Sequence, residues 1–374
     1  MADNEYEHRV IAPGRLKTAR MVRALTQSEL AFQMGWTQQY VQRCEKGERS
    51  PLSQLSELAS KLDFPPAFFL LPDVELTEAS SISFRKRKAT LLSERAKIAG
   101  LATLAAVNLS PAIRRHIVAP PLSLPDMSAF RDQPEAAATQ LREDWNLGYG
   151  PVDNMVHLLE AKGVEVFFVK ENSRAVDALC FWRGERAFLL LNTAKLDGGR
   201  ARYDAAHELG HLTMHRACDF SEMPEDEAEY QANRFASAFL LPDRSFPNEA
   251  PAVFDVEAFV ELRRRWKVSI QAMVRRLWDL RVFTKWQYED AYMKMSSWGY
   301  RSGPEPGAPA RETSFIHDAV LGYLGDSGLG PLDLAKSATI FLDDLCTLMP
   351  AAERVLDEQR SARQFFNDMG PEQG

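Results

Sequence analysis

Residues His207-Glu208-Leu209-Gly210-His211, inside DAAHELGHLTMH, set two imidazoles four positions apart with a carboxylate beside the first. This spacing acquires meaning on a helix. At about 100° per residue, His211 lies about 40° from His207 and Glu208 about 100° away, so both rings converge on one point and the carboxylate flanks it. Either histidine alone reads as a core residue. The pair with its glutamate reads as half of a zinc site with an adjacent base. Ala205, Ala206, Leu209, Leu212 and Met214 favour the helix, and Gly210 weakens it slightly.

A catalytic zinc needs a third protein ligand and one open position. In EDEAEYQANRFASAFLLP the apolar residues Ala232, Phe235, Ala236, Phe239 and Leu240 mark the inward face of a second helix, and Glu229 stands three residues before Ala232 on that face. Glu227 is about 200° around from Glu229, and Glu225 sits at the helix start, where a carboxylate is explained by the helix dipole. Glu229 is therefore the expected ligand. His215 is its rival, although at about 80° from His207 its ring drifts off the metal axis and would instead touch substrate or pack. With Zn2+ held by His207, His211 and Glu229, Glu208 is the expected general base of a peptide hydrolysis. Tyr203 and His215 are both candidates for oxyanion or substrate contact, and spacing does not choose between them. Upstream, VEVFFV (164–169), DALCFW (177–182) and RAFLLLN (186–192) read as strands, an exposed edge of which would pair with an extended peptide. EAAATQLREDWNLG and PVDNMVHLLEAKG read as helices before them, giving an α+β unit over 110–245.

The two segments RYDAAHELGHLTMH and EYQANRFASAFLLP resemble the paired motifs of the ImmA/IrrE metallopeptidase family, and the resemblance extends over most of 134–242, with Leu241 where methionine is frequent. It implies a zincin-like metallopeptidase core with His207, His211 and Glu229 as ligands and Glu208 as base. It also implies limited cleavage of a helix-turn-helix repressor or antitoxin, under stress or during mobile-element induction.

The first seventy residues carry a different signature. Helical patterning starts near Gly14, with Leu16, Ala19, Met21, Val22 and Leu25 on one flank. Thr26 and Glu29 form a capping box for a second helix that buries Leu30, Ala31 and Met34 and stops at Gly35. Trp36 turns the chain, and Thr37 caps a third helix that buries Val41 and Cys44 and stops at Gly47. Two short helices joined by such a turn form a helix-turn-helix, whose second helix offers Gln38, Gln39, Gln42 and Arg43 to base edges, while Gln27 is placed for a phosphate. The whole chain has 45 Lys+Arg against 52 Asp+Glu, a net charge of −7, so no global field gathers nucleic acid. Residues 12–50 hold seven basic and three acidic side chains and supply that field locally. LTQSELAFQMGWTQQYVQRCEKGERSP resembles the helix-turn-helix of XRE and lambda-type phage repressors, with a TQQ opening like that of the 434 repressor. The resemblance implies binding to a double-stranded DNA operator, usually as a homodimer.

With 374 residues the chain is expected to be multidomain and mainly α. The expected divisions are a helix-turn-helix bundle at 1–72, linker and helix at 73–109, the metallopeptidase domain at 110–245, a helical appendage at 246–300, and a linker with a C-terminal helical region at 301–374. The linker is read from GYRSGPEPGAPARE. Arg85, Lys86, Arg87 and Lys88, and separately Arg263, Arg264, Arg265, Arg275 and Arg276, read as solvated or packing faces in preference to nucleic-acid patches. Four cysteines without a C-x-x-C pair, no apolar run of eighteen and a polar N-terminus point to a cytoplasmic protein without a membrane span. The expected function is a transcriptional regulator with a zinc-dependent endopeptidase domain that cleaves a repressor, an antitoxin or itself. The alternative is a non-catalytic repressor or antitoxin whose metallopeptidase-like domain is a zinc-stabilised scaffold or ligand sensor.

Overall fold

The computed structural model describes residues 10–77, 92–170, 177–194, 197–216, 224–300, 303 and 305–368. The basic run 85–88 and Cys218 lie outside the described residues. The protein is mainly helical, with a small mixed sheet between two helical layers.

Helices α1 (Pro13–Val22), α2 (Gln27–Met34), α3 (Gln38–Glu45) and α4 (Leu55–Leu62) form the N-terminal bundle. The capping box is present: Thr26 Oγ1 accepts from Glu29 N at 3.1 Å while Thr26 N donates to Glu29 Oε2 at 2.7 Å. Gly35 ends α2 at φ +65°, where a side chain would be strained. Trp36 stacks edge-on to Tyr40 at 5.1 Å and donates from Nε1 to Gln54 at 3.0 Å, so the bulky turn residue ties α3 to the segment before α4. Leu16, Ala19, Leu30, Val41, Cys44, Leu58 and Leu62 close the core.

The bundle does not end in a free tether. Helix α5 (Leu92–Leu104) runs through a π-helical stretch at Ala105–Leu109 into α6 (Ser110–Arg114), and α5 crosses α1 closely. A Cβ on Gly100 would lie 2.8 Å from Val22 N, so glycine is what allows the two backbones to meet. Arg15 reaches across to Asn108 at 2.6 Å. By length and composition alone, the helix Ser93–Arg114 is apolar enough to cross a membrane. Its apolar window is 78% buried inside the protein, and the helix serves as core.

After α7 (Pro134–Asp144) and α8 (Met155–Ala161) come β1 (Glu165–Val169), β2 (Ala178–Arg183) and β3 (Arg186–Asn192), then α9 (Gly198–Met214) and α10 (Glu225–Leu240). The sheet order is β1-β3-β2, with β1 parallel and β2 antiparallel to β3. Both faces are buried, as apolar runs such as FLLL require. Val166, Phe168, Cys180, Leu189 and Leu191 face the layer containing α9 and α10. Phe167, Val169, Leu179, Phe181, Phe188 and Leu190 join the core shared by the bundle, α5 and the C-terminal helices.

The chain continues through α11 (Phe246–Glu249), α12 (Val256–Trp266), α13 (Ile270–Asp279), α14 (Lys285–Ser297), α15 (Phe315–Asp326), α16 (Pro331–Ala338), α17 (Leu342–Leu348) and α18 (Pro350–Asp368). The proline- and glycine-rich segment before α15 acts as a strap as well as a connection. Glu305 accepts from Ile270 N at 2.7 Å at the start of α13, and Glu312 accepts from Met155 N at 2.8 Å and Val156 N at 3.0 Å at the start of α8. Glu312 also pairs with Arg202 on α9. A Cβ on Gly198 would lie 2.5 Å from the Ala310 carbonyl, so the strap lies directly on the first turn of α9. The arginines of α12 and α13 are committed within the chain. Arg263 and Arg276 are buried against Asp197 and Glu135, while Arg264, Arg265 and Arg275 pair with Glu261, Glu249 and Asp279.

Candidate metal centre and recognition helix

Helix α9 starts at Asp197, whose carboxylate accepts from Gly199 N at 2.9 Å and anchors Arg263. The helix then passes under the sheet, and α10 packs across it. Gly210 is the point of closest approach: a Cβ there would lie 3.1 Å from Phe235 and 3.3 Å from Ala232 Cα. The same glycine that weakens the helix locally thus lets α10 deliver Glu229 to the histidines.

His207 Nε2 and His211 Nε2 are 3.1 Å apart, and Glu229 approaches them at 3.4 and 3.3 Å. One ligand atom from each of the three residues lies within 4.8 Å of the others. Donors around a tetrahedral zinc with bonds of about 2.0–2.1 Å are separated by about 3.3 Å. The observed triangle therefore fits such an ion, and it leaves one corner for a non-protein ligand. A second observation agrees: Glu208 Oε2 is buried beside this triangle without a hydrogen-bond partner among the described residues. Burial pushes the Glu208 carboxyl up to about 7, against the pull of His207. Cys180 on β2 donates to the Glu208 backbone carbonyl at 3.4 Å and ties this helix turn to the sheet. The site is deep, with His207 5%, Glu208 4% and His211 4% exposed.

The other residues singled out in the sequence have definite places. Tyr203 donates from its hydroxyl to the Asn233 carbonyl at 3.0 Å and so braces α9 against α10. His215 is buried, with Nδ1 3.0 Å from His211 Nδ1 and Nε2 2.9 Å from Gln231 Oε1. Burial lowers its pKa, as it lowers that of His211 to about 4. Gln231 went unnoticed in the sequence, where a glutamine two residues after a ligand carries no distinguishing pattern. Glu227 is exposed and reaches Gln231 Nε2 at 3.0 Å.

On the far side of the molecule's chain order, α3 presents Gln38, Gln39, Gln42 and Arg43 as exposed side chains. Arg43 pairs with Glu48 at 3.3 Å at the surface. Gln27 is half-buried and donates from Nε2 to Glu45 at 2.8 Å, and Glu45 is paired with Arg20 at 2.5 Å. These three residues brace α1, α2 and α3 against one another beneath the exposed face.

Comparison with known families agrees with both halves of this description. Residues 159–278, from the end of α8 to α13, match the IrrE N-terminal-like domain of a peptidase family, and residues 16–69 match a helix-turn-helix domain. A comparison with curated proteins finds no match. A helix-turn-helix domain and an IrrE N-terminal-like domain are thus matched in separate stretches of this one chain.

Proposed function

We propose that this chain is a DNA-binding regulator whose second domain is a zinc-dependent endopeptidase, acting on a helix-turn-helix repressor, an antitoxin or a copy of itself to relieve repression. The observation that carries the reading is the convergence of His207, His211 and Glu229 at tetrahedral-edge distances beside a carboxyl oxygen of Glu208 that has no hydrogen-bond partner among the described residues. The three donors, two imidazoles and one carboxylate, suit zinc. A zinc ion held there supplies a Lewis acid that polarises a peptide carbonyl and acidifies water.

The chain's own residues account for the rest. Glu208, buried beside the cluster, is placed both to take a proton from the attacking water at Oε2 and to return it to the leaving amine. Cys180 holds the Glu208 turn, and Tyr203 holds α10 at the spacing that Glu229 needs. On the DNA side, Gln38, Gln39, Gln42 and Arg43 read base edges of an operator in the major groove. Gln27, through Glu45, sets the angle of α3, with its amide close enough to the surface for a phosphate. A homodimer on a two-fold symmetric site matches the symmetry of such operators.

The depth of the site supports a second reading, in which the domain is a zinc-stabilised scaffold or sensor without turnover. Glu208→Gln separates the two. The zinc-loaded chain is incubated with itself and with candidate repressors, and cut sites are mapped by mass spectrometry. Cuts that vanish in Glu208→Gln support the peptidase. No Glu208-dependent cut, with regulation unchanged in the variant, supports the scaffold.

A further inference from the structure

His211 ends a chain of hydrogen bonds whose direction can be worked out from its outer end. Glu227 is exposed, and as a carboxylate it only accepts hydrogen bonds. Gln231 therefore turns its NH2 group toward Glu227, at 3.0 Å, because the reversed amide would oppose two acceptor oxygens. That leaves Gln231 Oε1 facing His215 Nε2 at 2.9 Å, so this nitrogen is the donor and carries the proton. In a neutral imidazole the other nitrogen, Nδ1, is then an acceptor. It lies 3.0 Å from His211 Nδ1, which must be the donor in turn. The proton of His211 is thus held on Nδ1, and its Nε2 lone pair is directed at the point where His207 Nε2 and Glu229 meet it.

The geometry points to His215 and Gln231 as positioning residues that lock His211 in the metal-ready tautomer, through a one-way relay from His211 to His215 to Gln231 to Glu227. The inference rests on the metal reading of the site and assigns His215 a task other than ligand or substrate contact. It also explains the helical spacing. His215 follows His211 by one turn of α9, which brings the two Nδ1 atoms together, and Gln231 is two residues from Glu229 on α10. The crossing that supplies the third ligand therefore supplies the relay as well. Ligating histidines commonly have the other ring nitrogen fixed by such a partner, and loss of that partner typically weakens metal binding about 10–100-fold.

Two measurements test this. In the metal-free full chain, long-range proton–nitrogen NMR of the imidazoles, seven in all, reads the tautomers directly. His211 is expected in its Nδ1–H form and His215 in its Nε2–H form, and the opposite pair of tautomers overturns the relay without any variant. Zinc affinity is then read by chelator competition. Gln231→Leu is expected to weaken zinc about 10–100-fold, and Gln231→Glu, which keeps an acceptor toward His215, to recover most of the loss. Unchanged affinity in Gln231→Leu overturns the relay. Failure of the unaltered chain to bind zinc overturns the metal reading instead, and the NMR result still decides the tautomers.

Discussion

The exposed face of α3 and the His207–His211–Glu229 cluster are both built from polar side chains on helices, and they are assembled in opposite ways. On α3, Gln38, Gln39, Gln42 and Arg43 project into solvent from a helix whose other face is packed and braced by Arg20, Gln27 and Glu45. In the cluster the polar groups are themselves the buried layer between α9, α10 and the sheet, and each holds its neighbour. Exposed groups on a braced helix act nearly independently. Buried groups that share partners act as a unit.

Four experiments would break or sharpen that contrast. The largest effect is expected from Glu208→Gln, which should lower peptidase activity about 10²–10⁴-fold while leaving zinc and operator affinity intact. Loss of operator binding in the same variant would show that the two regions are not separate. Next is Glu160, buried beneath the start of α15, whose carboxyl is raised to about 7 by burial while Ser314 and the amides of Phe315 and Ile316 donate to it. Because the folded state holds this proton more tightly than the unfolded chain, the contribution of Glu160 to stability is fully present below about pH 4.5 and is lost as pH rises toward 7, by roughly 3 kcal/mol at most. Denaturant titrations should show Glu160→Gln lacking that part of the pH slope. An identical slope in the variant would assign it elsewhere.

On the exposed side, Gln42→Ala should cost about 1–3 kcal/mol of operator discrimination in a binding titration. Combined with Gln38→Ala, its cost should add to within about 0.5 kcal/mol, and a strong non-additive term would erase the proposed difference between the two regions. The smallest change is Thr26→Ala, which removes the capping box of α2 and should lower stability by about 1 kcal/mol in thermal or denaturant melts, with peptidase activity unaffected.

What could be read from the sequence follows the same division. The caps at Thr26, Gly35 and Thr37, the strand Arg186–Asn192 and the inward face of α10 that brings Glu229 to the histidines are set by short-range spacing, and each stands where that spacing puts it. Proline and glycine suggested only a linker before α15. The strap depends on Glu305 and Glu312 meeting helix starts 35 and 157 residues away, and no local pattern records such meetings. The second buried face of the sheet was hidden for a like reason: Phe167, Phe181 and Phe188 look the same in sequence whether their partner is solvent-facing or the α5 layer. Angular drift sets His215 off the axis through His207 and His211, and its ring meets His211 Nδ1 and Gln231. Its destination was hidden because Gln231 lies on another helix.

The account depends most directly on one cation being shared by α9 and α10. Metal analysis of the purified full chain, beside Glu229→Ala and His211→Ala, tests it. One zinc per chain, held against a competing chelator and lost in both variants while their folds persist, is the predicted result. A chain that carries no zinc, or one that keeps it equally well without Glu229, would contradict it.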